Sequence, residues 1–450
     1  MSLPRYEKYK DSGVEWLGKV PVHWECVRLA AVFREVNEPG NDDLPILSVS
    51  IHDGVSDREL NGDEAERKVS RSDDRSKYKA VAPRDLTYNM MRAWQGGFGT
   101  VTVAGMVSPA YVVARPTREF STALVEMILR TPSAVSEIKR NSRGITDFRL
   151  RLYWEDFKCV RVALPPRAEQ LAIIRFLDRE TGKIDALIAE QEKLVALLAE
   201  KRQATISHAV TKGLNPNAPM KYSNVAWLGE VPAHWRIKPL RYCVDYQEGP
   251  GIMADDFRDE GVPLLRVAGV QGHWTTLEGC NYLDPQKVSV KWPHFRLKKG
   301  DLLISASASM GTISEVGHEA EGAVAYTGII RLRGKAGEMV KDYVRHMAVS
   351  RPFLTQIDLL KAGATIQHYG PTHLSQMFAV CPPEKEQKEI AAFIDQELIK
   401  LDSLSTEAGR AIALLRERRA ALIAAAVTGQ IDVRSVISQP ASKILEAIAA

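Results

Sequence analysis

One stretch of this chain occurs twice, and it constrains everything around it. Leu164-Pro165-Pro166-Arg167-Ala168-Glu169-Gln170 opens a run that ends in Ala209-Val210-Thr211, and Cys381-Pro382-Pro383-Glu384-Lys385-Glu386-Gln387 opens one that ends in Ala426-Val427-Thr428. The offset is 217 residues at both ends (382 − 165 and 427 − 210). Taken every third or fourth residue, the first copy reads Ile173, Leu177, Glu180, Ile184, Leu187, Gln191, Leu194, Leu198. The second reads Ile390, Ile394, Glu397, Leu401, Leu404, Ala408, Ala411, Leu415. Apolar residues held at this spacing over several heptads specify helices that need a partner along a seam. A proline pair precedes each run, where the first helical N–H has no partner to lose.

Each copy is the natural partner of the other, packed antiparallel. The first copy carries a further apolar row, Ile174, Ile188 and Val195, that one neighbour would leave uncovered. If Gly182 breaks the first helix, residues 183–210 span about 42 Å at ~1.5 Å per residue.

A second repeat precedes each helix. Val14-Glu15-Trp16-Leu17-Gly18-Lys19-Val20-Pro21-Val22-His23-Trp24 returns as Val225-Ala226-Trp227-Leu228-Gly229-Glu230-Val231-Pro232-Ala233-His234-Trp235, identical at eight of eleven positions. The chain is therefore a tandem duplication. These tryptophans suit anchors for the start of each domain core, with a partner-binding surface as the alternative.

Between the repeats lie two regions of short β-like runs, such as 44–51 and 100–103, broken by turns. The first has its centre at Asp85-Leu86 through Gly96-Gly97-Phe98-Gly99, continues in Ser108-Pro109-Ala110-Tyr111-Val112-Val113, and closes on a basic stretch, 140–151. The second answers with Asp301-Leu302 and with 363–369, at little identity. The glycine cluster suits a turn between strands better than a phosphate cradle. The expected architecture is α+β: two tandem β-rich domains separated by two long antiparallel coiled-coil helices, with a pseudo-two-fold internal duplication. The boundaries expected are 1–165 for the first domain, 166–212 for the first helix, 213–382 for the linker and second domain, 383–432 for the second helix, and 433–450 for a tail outside the duplication.

Composition narrows the function. Sixty basic residues against 56 acidic, with pI ≈ 8.6, leave a polyanion to be met by local patches and not by a global field. Five scattered cysteines without a CxxC pair point to a reducing compartment and away from zinc. The N-terminus lacks the pattern of a signal peptide and no apolar run reaches membrane-spanning length, so a cytoplasmic protein is expected. The histidines, including His294, His368 and His373, lack HExxH-like spacing. No Asn/Asp-Pro-Pro-Tyr/Phe methyltransferase signature and no GxxxxGK[ST] loop is present.

A frame kept alike around two unlike inserts suits a device that holds two different readers at a fixed separation. On DNA, a protein two-fold gives paired half-sites; unlike readers would make those half-sites unlike. At this point the chain resembles the specificity subunits of type I restriction-modification enzymes. The paired Trp-Leu-Gly-x-Val-Pro-x-His-Trp motifs, the paired Pro-Pro-x-x-Glu-Gln helices, the paired Ala-Val-Thr ends and the Asp-Leu…Gly and Ser-Pro-Ala-Tyr-Val-Val segments carry the resemblance, over residues 1–432.

The resemblance implies a non-catalytic subunit that reads an asymmetric bipartite double-stranded DNA target, one domain per half-site. It implies two adenine-methyltransferase subunits docked on the helices and, through them, motor-nuclease subunits. S-adenosylmethionine, ATP and Mg would then belong to those partners and not to this chain. Ile174, Ile188, Val195, Leu198, Leu401 and Leu415 are the expected interface residues. For DNA contact the expected residues are Arg92, Gln95, Arg143 and Arg149 in the first domain and Lys298, Ser307, Gln367, His368 and Tyr369 in the second. Two basic patches suit phosphates: residues 287–299, with Lys287, Lys291, Arg296, Lys298 and Lys299 and no acid, and Lys139, Arg140, Arg143, Arg149 and Arg151 around the single Asp147. A coiled-coil scaffold with two protein-binding end domains is the rival reading.

Overall fold

The computed structural model describes residues 3–41, 43–51, 54–59, 77–145, 149–225, 227–306, 312–361 and 369–434. Its contacts divide the chain into two compact units, residues 1–191 with 410–450, and residues 192–409. Each repeated stretch is one long helix, Arg167–Lys212 and Glu384–Val427, and each helix gives one half to each unit. Gly182 does not break the first: its 46 residues run ~69 Å at ~1.5 Å per residue. A solvent-facing glycine costs a helix only about 1 kcal/mol, which the seam on either side outweighs.

In the first unit, Ile173 and Leu177 share a core with Ala426 and Val427, while eight residues after Leu177 Asp185 pairs with Arg419 at 2.8 Å. The helix halves therefore run antiparallel. The second unit repeats this with Ile206 and Val210 against Ile390 and Ile394, and with an Arg202–Asp402 ion pair. The expected seam is only partly covered. Leu187, Leu194 and Leu404 remain 52%, 40% and 48% exposed.

The Glu-Gln pair of each helix start holds the domain to the frame. Glu169 is buried and accepts from Trp24 Nε1 at 2.9 Å, from Tyr6 Oη at 2.5 Å and from His23 Nε2 at 2.7 Å. Burial and the Glu169 hydrogen bond push the Tyr6 hydroxyl well above its ordinary value. In the second unit Glu386 accepts from Trp235 Nε1 at 2.8 Å and pairs with His234 at 2.7 Å. Gln170 accepts from Ser121 N and donates to Pro165 O; Gln387 accepts from Val340 N and donates to Pro382 O and Glu338 O. The motif tryptophans are therefore anchors, with Trp24 and Trp235 both fully buried.

Each domain hangs on a two-stranded neck, Glu25–Arg28 with Arg161–Leu164 and Arg236–Pro239 with Phe378–Cys381. Beyond the neck the same antiparallel sheet recurs. Phe33–Val36, Tyr111–Pro116, Leu86–Asn89 and Phe98–Thr100 lie in the order taken by Val244–Glu248, Ile329–Gly334, Leu302–Ser305 and Ile313–Glu315. The expected run 100–103 gives only Thr100 to a strand. Buried Asp85 takes a bidentate bond from Arg115 and the N–H of Ala82; buried Asp301 takes one from Arg333 and the N–H of Lys298. That fork geometry fixes two adjacent strands at once.

The second unit diverges by adding a four-stranded sheet of Phe257–Arg258, Asn281–Leu283, Val262–Leu265 and Val324–Ala325. After the second helix, Ile431 and Val433 enter the first unit's core, and Arg434 lies 5.0 Å over the Tyr6 ring. The rest of the expected tail, 435–450, lies outside the described residues. No helix among those described is long and apolar enough to cross a membrane.

Candidate nucleic-acid interface

At the basic close of the first domain, Arg143 and Arg151 pair in an isolated antiparallel bridge. Arg143 and Arg151 exchange backbone hydrogen bonds, both at 2.9 Å. Gly144 is required beside them, because a Cβ there would lie 2.7 Å from the Arg149 carbonyl oxygen. Residues 143–145, Arg149 and Arg151 line an open cleft of about 670 Å³ with Met91 and Tyr153, which brings Arg143, Arg149 and Arg151 to one surface. Arg143 donates to Asp156 Oδ1 at 2.6 Å while its side chain stays 67% exposed; the Asp156 bond holds its guanidinium above its ordinary value.

Arg92 caps the 3-10 turn Ala93–Gln95, directly after Met91 in the chain, and bonds to Gln95 at its end, Nη1 to Oε1, at 3.2 Å. The glycine cluster that follows forms the turn into the next strand, with Gly96 at φ 84°. Lys139 lies 5.5 Å over the Trp94 ring, joining helix Pro132–Asn141 to this turn. Of the four residues expected in the first domain, Arg143 and Arg149 line the cleft, while Arg92 and Gln95 are not in its lining. Met91, Ile145 and Tyr153, exposed apolar and aromatic lining, were not among the expected residues; Ile145 and Tyr153 are near the arginines in sequence, and the fold brings Met91 to them. Cations with apolar surface between them can meet phosphates and base edges together.

The second domain corrects more. Tyr369 is no surface contact: it is 1% exposed, its hydroxyl donates to Ser305 O at 2.9 Å, and burial raises its ionisation. Its large apolar ring fills the core beside Leu374 and Ile304. Residues 287–299 carry no acid in sequence, yet folding brings Asp256 onto Lys287. Lys299 Nζ lies 2.6 Å from His318 Nε2, and Arg296 donates to Gly322 O. Lys298 stays exposed. Ser307, Gln367 and His368 lie outside the described residues.

Along the helices, Ile174, Ile188, Val195 and Leu415 are half-buried. Leu198 and Leu401 are 8% and 5% exposed, inside the second unit's own core, and so are not available to another subunit. Leu197, Ile399 and Leu414 are instead 51%, 70% and 65% exposed. Among the described residues no cluster of three or more His, Cys, Asp or Glu could hold a metal.

No protein-family model matches. The chain is 23% identical over 287 residues, 62% of its length, to the type I restriction enzyme MjaVIII specificity subunit of Methanocaldococcus jannaschii. It is 22% identical over 312 residues, 67% of its length, to the EcoBI specificity subunit of Escherichia coli. The chain spans 64% of the length of each of these two relatives. In fold it is similar to a chain from a type I restriction-modification system, at a TM-score of 0.62 and 18% identity over 91% of this chain and 98% of that one. The HsdS subunit from Thermoanaerobacter tengcongensis gives 0.53 and 18% over 92% and 98%. The duplicated, helix-framed α+β fold expected from sequence is thus a fold already seen in type I restriction-modification systems. More narrowly, the chain is similar in both sequence and fold to their specificity subunits, as the resemblance implied.

Proposed function

We propose that this chain is the non-catalytic DNA-specificity subunit of a type I restriction-modification complex, and that it reads a bipartite double-stranded target with one domain per half-site. The observation that carries the reading is the first-domain cleft, where Arg143, Arg149 and Arg151 converge with Met91 and Tyr153. Arginines there supply phosphate attraction and guanine-edge hydrogen bonds, and the apolar lining suits a thymine methyl group. The apolar side chains left exposed on both long helices support docking of two methyltransferase subunits, with motor-nuclease subunits bound through them. S-adenosylmethionine, ATP and Mg would be held by those subunits, and the assembly would act in the cytoplasm.

The direct test replaces Arg143 and Arg149 by Ala in the assembled methyltransferase and maps methylation by sequencing. Recognition of one half-site should relax while the other is retained. Equal relaxation of both halves would overturn the two-reader reading, and a DNA affinity insensitive to salt would favour a protein-binding scaffold.

The long helices then act as the ruler between half-sites. Inserting four residues in register into both helices, ~6 Å, should lengthen the unread spacer by about two base pairs at ~3.4 Å each. An unchanged spacer in a variant that still assembles would remove the helices from that role.

A further inference from the structure

The five cysteines are scattered in sequence, yet folding sets Cys243 beside Cys381 with their sulfurs 3.2 Å apart. Both are free thiols, 0% and 1% exposed. Their place in the chain matters as much as their distance. Cys243 caps the 3-10 turn Leu240–Tyr242, directly after neck strand Arg236–Pro239, and Cys381 ends neck strand Phe378–Cys381, just before the second long helix. Everything that makes the second domain distinctive lies between these two residues.

The first unit supplies an internal control. At the same neck positions it has Val32, which caps the 3-10 turn Leu29–Ala31, and Leu164, which ends Arg161–Leu164. Both are buried, so packing at this place does not require sulfur. Either thiol can donate across this contact; the contact with Cys381 lowers the Cys243 thiol against its burial, with Lys238 and Arg236 adding to the lowering and Glu338 opposing it, while the contact and burial raise Cys381.

We propose that Cys243 and Cys381 are an oxidation site, a reversible disulfide clasp that closes the neck of the second domain when the chain meets a peroxide. The Cys243 thiolate attacks one peroxide oxygen, the O–O bond breaks, and a sulfenic acid forms while the departing hydroxide takes up the proton that Cys243 released. The Cys381 sulfur then bonds to the Cys243 sulfur and expels that oxygen, which leaves as a second water with the Cys381 proton. Two thiols lose two electrons and two protons, and one hydrogen peroxide becomes two waters. The clasp closes a loop 138 positions long (381 − 243) and restricts the unfolded second domain.

The test uses the full chain, reduced, desalted and exposed to hydrogen peroxide, then blocked with iodoacetamide and digested without reductant. Mass spectrometry should find the Cys243 and Cys381 peptides linked and two hydrogens lighter than their sum in most molecules, with exposed Cys159 outside the link. The melting temperature should rise by several degrees and fall back with a thiol reductant. The Cys243→Val/Cys381→Leu double variant, which carries the first unit's residues, should show no such rise. Alkylated or sulfinic Cys243 without the linked peptide would overturn the proposal, as would an equal rise in the double variant. The linked-peptide measurement needs only the wild-type chain, so it decides the matter even if the variant fails to fold.

Discussion

The two units use one anchor in two environments. Glu169 has a side chain 5% exposed and gathers Trp24, Tyr6 and His23; Glu386, with a side chain 34% exposed, gathers Trp235 and His234 among the described residues. The difference comes from what the chain lays over each site. In the first unit Tyr6, Gly429 against Pro21 and Trp24, and Arg434 over Tyr6 close the anchor. The second unit has Gly213 against Trp235, and among the described residues no tyrosine bonds to Glu386. A motif repeated in sequence thus fixes who bonds to whom, while burial decides how much each bond contributes.

The largest effect is expected on removing each carboxylate in turn. Glu169→Ala strands buried donors on Trp24 and Tyr6 and should cost about 3–5 kcal/mol. Glu386→Ala should cost roughly 1–2 kcal/mol, since water can reach its site. Urea unfolding of the two variants, with hydrogen exchange to assign the loss to a unit, checks this. Equal losses would mean that burial does not separate the anchors.

A smaller effect sharpens the contrast through pH. His346, on helix Lys341–Ala348, is 3% exposed beside Arg345, with Asp395 at 3.0 Å; burial first, then Arg345, depress its pKa to about 4 despite Asp395 and Asp342. Below its ordinary value near 6.5 the unfolded chain binds a proton that the folded chain refuses until about pH 4. The stability from neutral His346 is therefore fully present above that ordinary value and is lost as pH falls through the window, on the order of 2–3 kcal/mol. The corresponding position on first-unit helix Thr122–Leu129 is Met127. His346→Met should flatten the acid dependence of the second unit between pH 6.5 and 4, read from urea midpoints. An unchanged slope would place the acid sensitivity elsewhere.

The smallest effect should be shared. Gly182 and Gly409 lie inside the long helices, one in each unit, with nothing within 4 Å of a built Cβ. Replacing either by Ala should stabilise by about 0.5–1 kcal/mol, seen as a small rise in melting temperature. A loss at either position would reveal a contact made only in the assembled complex.

The duplication, the long helices and the anchoring role of Trp24 and Trp235 were legible because each leaves a periodic or repeated mark in the chain. The basic close was legible as composition, since Arg143, Arg149 and Arg151 are near neighbours in sequence. Tyr369 misled because an aromatic beside Gln367 and His368 looks the same whether it faces solvent or core. Lys287 misled because its partner, Asp256, lies 31 residues away. Leu198 and Leu401 misled because a 3-4 spacing marks an apolar stripe without saying what covers it.

By itself, then, the sequence determined that this protein is two related halves on paired helices, with a different insert in each. Repetition and periodicity are local properties that survive without coordinates. Folding alone settles which carboxylate is buried, that Met91 meets Arg143, Arg149 and Arg151, and that two thiols 138 positions apart touch at the second neck. Those are long-range contacts, set by how sheets and helices close on one another, and no short pattern in a chain encodes them.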